Sequence, residues 1–95
     1  MAVKIIIKRR VPKEKETALL PLLVEMRSKA TAQPGYISGE TWRNVADPED
    51  YLVISTWQSV EVWKAWESSK ERADVQQKID ALLGEKTEYG VYLYG

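Results

Sequence analysis

A chain of 95 residues has room for one domain with a modest core, and a single domain over residues 1–95 is expected. Its 14 basic and 14 acidic residues cancel to a formal net charge of zero, which leaves no electrostatic footprint for a polyanion and argues against nucleic acid as the main partner. Cysteine and histidine are both absent, so disulfides, thiolate metal centres and any acid–base or ligand role for imidazole are excluded.

The chain starts on a β-branched run. Val3 to Arg10 reads as a first strand, with Ile5-Ile6-Ile7 at its centre. The run Met1 to Ile7 is too short for a signal peptide or a membrane span before Lys8-Arg9-Arg10 interrupts it, so a cytoplasmic protein with no membrane partner is expected. The Lys8-Arg9-Arg10 cluster itself reads as a solvated strand end. Pro12 marks a helix start, with Glu14 and Glu16 placed where acidic side chains favour the helix dipole. Leu19, Leu22, Leu23, Met26 and Ala30 then form one apolar stripe at helical spacing. Pro21 inside that helix predicts a bend or an irregular first turn. Gln33-Pro34-Gly35 ends it.

Tyr36 to Asn44 reads as a second strand and Tyr51 to Trp57 as a third, joined into a hairpin by Ala46-Asp47-Pro48-Glu49-Asp50. Ser59 is a helix N-cap, and Val62, Trp63 and Trp66 share one face of the helix it opens. Ser68-Ser69-Lys70-Glu71 reads as a capping box, so a further helix starts there. Arg72, Val75, Ile79, Leu82 and Leu83 line its inner face and Gly84 fits its C-cap. Thr87 to Tyr94 is the fourth strand.

The order β-α-β-β-α-β, with the second helix in two pieces, predicts an α+β, ferredoxin-like fold: a four-stranded antiparallel sheet with its helices on one face. A sheet of that kind normally alternates apolar and polar residues. Ile5-Ile6-Ile7 and Leu52-Val53-Ile54 are apolar on both faces instead. On strand four, Tyr92 and Tyr94 share one face while Tyr89, Val91 and Leu93 share the other. A second cover is therefore expected, since exposed apolar patches of that size are uncommon on monomers. Homodimerisation through the open sheet face supplies it, with a burial on the order of 1,600 Å² in total.

The run Tyr51-Leu-Val-Ile-Ser-Thr-Trp57-Gln-Ser59-Val-Glu61-Val-Trp63-Lys-Ala-Trp66-Glu-Ser-Ser69 resembles the strand-to-helix signature of the antibiotic biosynthesis monooxygenase family. Pro34-Gly35-Tyr36 resembles the family's Pro-Gly-aromatic lead into strand two. The resemblance covers essentially the whole element order. It implies the dimeric α+β barrel superfamily, whose sheets stack back to back, and a pocket between sheet and helices in each protomer. Some family members oxidise anthrone- or quinol-like aromatics with O₂ and no cofactor. Others degrade haem with a histidine about ten residues after the helical Trp and an Asn on strand one. The corresponding positions here hold Gln76 and Ile7, so the haem-degrading branch is disfavoured.

Cofactor-free oxidation needs aromatic walls and hydrogen-bond donors, because the substrate supplies the electrons. The catalytic candidates are Trp66 and Tyr51, and the substrate-binding candidates are Trp63, Trp42, Asn44, Arg72 and Gln76, with no cofactor and no metal. A base would have to be a Glu such as Glu40, a tyrosine or a lysine with a shifted pKa. Plainer roles compete at each position. Trp57 reads as structural, Trp63 and Trp66 as core, Arg72 as a snorkelling or salt-bridged residue, and Asn44 as turn chemistry. The tyrosines of strand four read as interface or core residues. The expected function is a monooxygenase acting on a small aromatic compound. The alternative is a non-catalytic dimeric module that binds a small apolar ligand. RNA recognition shares the element order, but strand one has no aromatic and strand three lacks the basic Gly-aromatic motif.

Overall fold

Alternation along the first strand decides which face becomes the core. In β1 (Val3–Arg10), Val3, Ile5, Ile7 and Arg9 turn to one face, and Val3, Ile5 and Arg9 are buried there. Lys4, Ile6, Lys8 and Arg10 turn to the other. β3 (Asp50–Trp57) runs antiparallel to β1, with Val3 opposite Trp57 and Arg9 opposite Tyr51. β2 (Tyr36–Arg43) pairs with β3, and β4 (Glu88–Leu93) pairs with β1, both antiparallel. The order across the sheet is β2-β3-β1-β4. The computed structural model describes residues 1–85 and 87–94.

Three helices, α1 (Glu16–Thr31), α2 (Val60–Glu67) and α3 (Lys70–Leu83), pack over the face that carries Ile5, Tyr51 and Trp57. This is the α+β, ferredoxin-like arrangement that the element order predicts. Among the described residues no helix is long and apolar enough to cross a membrane.

Local chemistry sets most boundaries. The irregular start predicted from the prolines is a 3-10 turn at Lys13–Lys15, after which α1 runs through Pro21 to Thr31. Ser59 caps α2 by accepting the Val62 amide at 3.3 Å. The capping residue of α3 is Ser69, which accepts the Arg72 amide at 3.2 Å. It stands one residue later than the box predicted from Ser68, because Ser68 closes α2 through Lys64 O. Gly84 takes φ 75° as the C-cap of α3. Gly35 has φ 85°, and a Cβ there would lie 2.6 Å from Val62 Cγ2. Its carbonyl accepts the Gln58 amide at 2.8 Å, which draws the α1–β2 turn against the start of α2.

The core is in two parts. One cluster holds Val11, Leu19, Tyr51, Val75, Ile79 and Leu83. The other holds Val3, Ile5, Trp57, Trp63 and Trp66. Met26 packs against both. The division matters because the space between the clusters is not filled by protein. On the opposite sheet face, Ile6, Leu52 and Ile54 are partly exposed, flanked by Trp42 at 55% and Tyr92 at 56% exposure. Among the described residues no helix lies over them.

Candidate functional site

A cavity of about 360 Å³ opens between the helix-covered sheet face and α1, α2 and α3. This is at the small end of the range for small-molecule sites. One end is aromatic. Trp57 is 1% exposed, and the Tyr36 ring meets it edge-on with centroids 5.3 Å apart. Trp63 and Trp66, both buried, complete that end from α2. Gly39 lets Tyr36 fold over β2: a Cβ at Gly39 would lie 2.5 Å from the Tyr36 hydroxyl.

The other end is polar. Arg9 stands six positions along β1 from Val3, the partner of Trp57, which places it about 20 Å away along the strand. It is buried, and its Nε has no hydrogen-bond partner among the described residues. Burial pushes its pKa down, Arg72 pushes the same way, and Tyr89 and Asp80 oppose the shift. Arg72 comes from the first turn of α3. It donates through Nη2 to the Tyr89 hydroxyl and through Nη1 to Glu67 O at 3.3 Å, and its guanidinium sits 4.8 Å from the Tyr89 ring centre. Tyr89 is half-buried, and that burial raises its pKa despite the two arginines. Gln76 donates through Nε2 to Asp80 Oδ1 at 2.8 Å and to Thr87 Oγ1 at 2.9 Å. These acceptors fix its amide orientation, and its Oε1 is buried without a partner among the described residues.

A second polar group closes the rim between α1 and β2. Arg43 donates to Glu16 Oε1 at 2.8 Å and to the Tyr51 hydroxyl, and Tyr51 donates to the same Glu16 oxygen at 3.2 Å. Arg43 and Glu16 are about half exposed, so water screens the pair. The two tyrosine hydroxyls and three arginines make the arrangement chemically one-sided: it offers donors for developing negative charge and no imidazole.

The structure brings together Trp63, Trp66, Tyr51, Arg72 and Gln76, all of which line the cavity. It does not bring Trp42 or Asn44 there. Trp42 pairs with Leu52 on β3 and shares the open face with it. Asn44 is a turn residue: its Oδ1 accepts the Ala46 amide at 2.8 Å, and its Nδ2 donates to Asp50 at 3.0 Å. Glu40 borders the cavity from β2, opposite Ile54, with its side chain exposed.

A family model described as antibiotic biosynthesis monooxygenase matches residues 2–78. The chain belongs to the antibiotic biosynthesis monooxygenase family. A conserved protein from Methanosarcina mazei Go1 superposes with a TM-score of 0.90 at 17% identity, over 100% of this chain and 94% of that one. SnoaB, a cofactor-independent oxygenase from Streptomyces nogalater crystallised as a point mutant, superposes with a TM-score of 0.85 at 14% identity, over 98% of this chain and 92% of that one. At such identities the likeness speaks for the fold. Protein SchA from Streptomyces halstedii is 25% identical over 65 residues, which are 68% of this chain and 17% of SchA. The matched part thus spans under a fifth of that relative's length.

In this member of the antibiotic biosynthesis monooxygenase family, several cavity residues escaped the sequence reading, among them Tyr36, Tyr89, Arg9 and Arg43. Arg9 was expected in water with Lys8 and Arg10. Only its neighbours are exposed, while Arg9 itself is 8% exposed and lines the cavity. The missed signal was parity, since Arg9 stands two positions after Ile7 and therefore shares the face of Val3 and Ile5. Arg43, missed as well, follows from the same rule by pairing with Tyr51 on the covered face.

Proposed function

We propose that this domain is a cofactor-independent monooxygenase that takes a small quinol- or anthrone-like aromatic into the cavity and oxidises it with O₂. The observation that carries the reading is a cavity with aromatic walls at one end and N–H and O–H donors at the other, in a member of this family. In the reaction, a ring CH₂ conjugated with a carbonyl across the ring loses a proton to give an enolate. The enolate passes an electron to O₂, carbon and oxygen join as a peroxide, and water leaves. The balance is one CH₂ and one O₂ in, one C=O and one water out.

The chain's residues then have separate tasks. Trp66 and Trp63 hold the ring system, and the closed aromatic end keeps water from the reacting carbon. Trp66 Nε1 is one catalytic donor and the Tyr51 hydroxyl the other once its proton turns from Glu16 to the substrate, with Arg72 and Gln76 positioning the polar end of the substrate. A single domain of this size would work as a homodimer, with a second copy covering Ile6, Ile54, Trp42 and Tyr92 on the open face.

Oxygen-electrode assays on a panel of anthrones and hydroquinones test the reading. Expected is one O₂ consumed per quinone formed, with turnover cut at least tenfold in Trp66→Phe while the melting temperature stays close to that of the wild type. Saturable binding without oxygen uptake anywhere in the panel would leave a non-catalytic binding module instead.

A further inference from the structure

We propose that the Arg9–Arg72–Tyr89 end of the cavity is an oxyanion site, so that the ligand is a planar ring system carrying a negatively charged oxygen at one end. The inference deepens the proposed function in taking this cavity as the ligand site, and does not depend on the ligand being oxidised.

Three observations converge. First, Arg9 is nine-tenths buried, and its Nε has no partner among the described residues. A guanidinium taken from water without a carboxylate is costly, and such groups are retained where a ligand supplies the missing charge. Second, Arg72 reaches the same end from α3 and adds a second positive charge near the first, which is unfavourable until an anion sits between them. Third, the Tyr89 hydroxyl accepts from Arg72, which leaves its own proton for a ligand. The nearby acids do not fill the role. Asp80 accepts from Gln76 and Thr87, Glu67 meets Arg72 through its backbone carbonyl, and Asp50, Glu85 and Glu88 border Arg9 on its outer side, but none of these forms an ion pair with either arginine among the described residues. The buried Gln76 Oε1, also unpartnered, would accept a hydroxyl beside the charged oxygen.

The geometry also gives the ligand a direction. Its charged oxygen lies over β1 at Arg9, and its rings extend along the strand towards Trp63, Trp66 and Trp57. In that orientation both guanidiniums stabilise an enolate or phenolate, which lowers the acidity barrier of a substrate without a dedicated base.

Tryptophan-fluorescence titrations with matched ligand pairs test this. One pair is naphthoate against naphthalenemethanol, a carboxylate arm. The other is hydroxynaphthoquinone, ionised at neutral pH, against methylnaphthoquinone, an enolate arm. Expected is a preference of at least tenfold for the anion in one or both arms. Arg9→Met should bring the anion down to the affinity of its neutral partner. Arg9→Lys should keep part of the preference, because it keeps the charge but loses the fork. Arg10→Met, at an exposed neighbour, should leave it intact. Thermal melts check that each variant is folded. Equal binding of both members of each pair, no binding of any, or a preference that survives Arg9→Met would overturn the proposal. A preference that persists in a protein without oxygen uptake would retain the oxyanion site and remove only the monooxygenase reading.

Discussion

If Arg9 is kept for a ligand, the empty protein should be more stable without it. Arg9→Met tests this in depth, because methionine preserves an unbranched apolar side chain and removes only the buried cation. Arg9 is 8% exposed, its Nε is unpaired among the described residues, and burial already pushes its pKa down. A buried unsatisfied donor costs about 1–3 kcal/mol, more when charged. Removing it should therefore stabilise the free protein by about 1–3 kcal/mol. For a domain of this size each kcal/mol moves the melting temperature by about 4–8 °C. The assay is differential scanning fluorimetry at one fixed protein concentration, since self-association would shift both proteins with concentration. Adding naphthoate should narrow the gap, because ligand at 100 times its Kd raises the wild type by about 2.7 kcal/mol and a variant that binds it tenfold more weakly by about 1.4 kcal/mol. A lower melting temperature for Arg9→Met without ligand would refute the reasoning and make Arg9 a structural cation.

Three further outcomes follow from the same structure. The Tyr89 pKa is raised by burial, so its neutral form belongs to the folded state; the stability it contributes is intact below the unfolded tyrosine pKa of about 10 and falls as pH rises through the folded value. Melts between about pH 9 and pH 11 should show a shallower alkaline decline for Tyr89→Phe than for the wild type. Gly35→Ala must place a methyl group 2.6 Å from Val62 Cγ2 at φ 85°, and urea titration should show a loss of about 2–4 kcal/mol from steric overlap and left-handed strain. A loss under about 1 kcal/mol would mean that the α1–β2 turn is not held against α2. Ile54→Lys puts a charge in the middle of the open face, opposite Ile6, and light scattering should report a smaller mass than the wild type at the same concentration, with the cavity's ligand binding retained.

Much of the fold is legible from local pattern. Gln33-Pro34-Gly35, the Asn44–Asp50 turn and Ser59 punctuate the chain at the places where the elements end, because backbone donors and φ restrictions act on immediate neighbours. The two-residue alternation of Val3, Ile5 and Ile7 identifies the covered face of β1, and helical spacing turns Trp63 and Trp66 inward. Five of the seven residues singled out from sequence line the cavity for that reason: Trp63, Trp66, Tyr51, Arg72 and Gln76.

Only the tertiary structure decides the rest. Trp42 and Trp57 are both strand tryptophans, yet the register of β2 on β3 sends one to the open face and buries the other. No local pattern carries that information, because a strand's phase is set by its partner strand. Arg9 needs both levels: parity with Val3, Ile5 and Ile7 assigns it to the covered face, and nothing local says that this end of the strand is roofed. Among Lys8, Arg9 and Arg10 it looks like one more solvated cation, and all three have the same local propensity to remain in water. It is buried because β1 runs beneath α3, whose Arg72, Gln76 and Asp80 roof the end of the strand. Composition and periodicity thus determine an antiparallel sheet with a covered face. Long-range packing alone determines that this end of the strand is roofed, so that a cation stands inside that cover, at the end of the cavity away from Trp57.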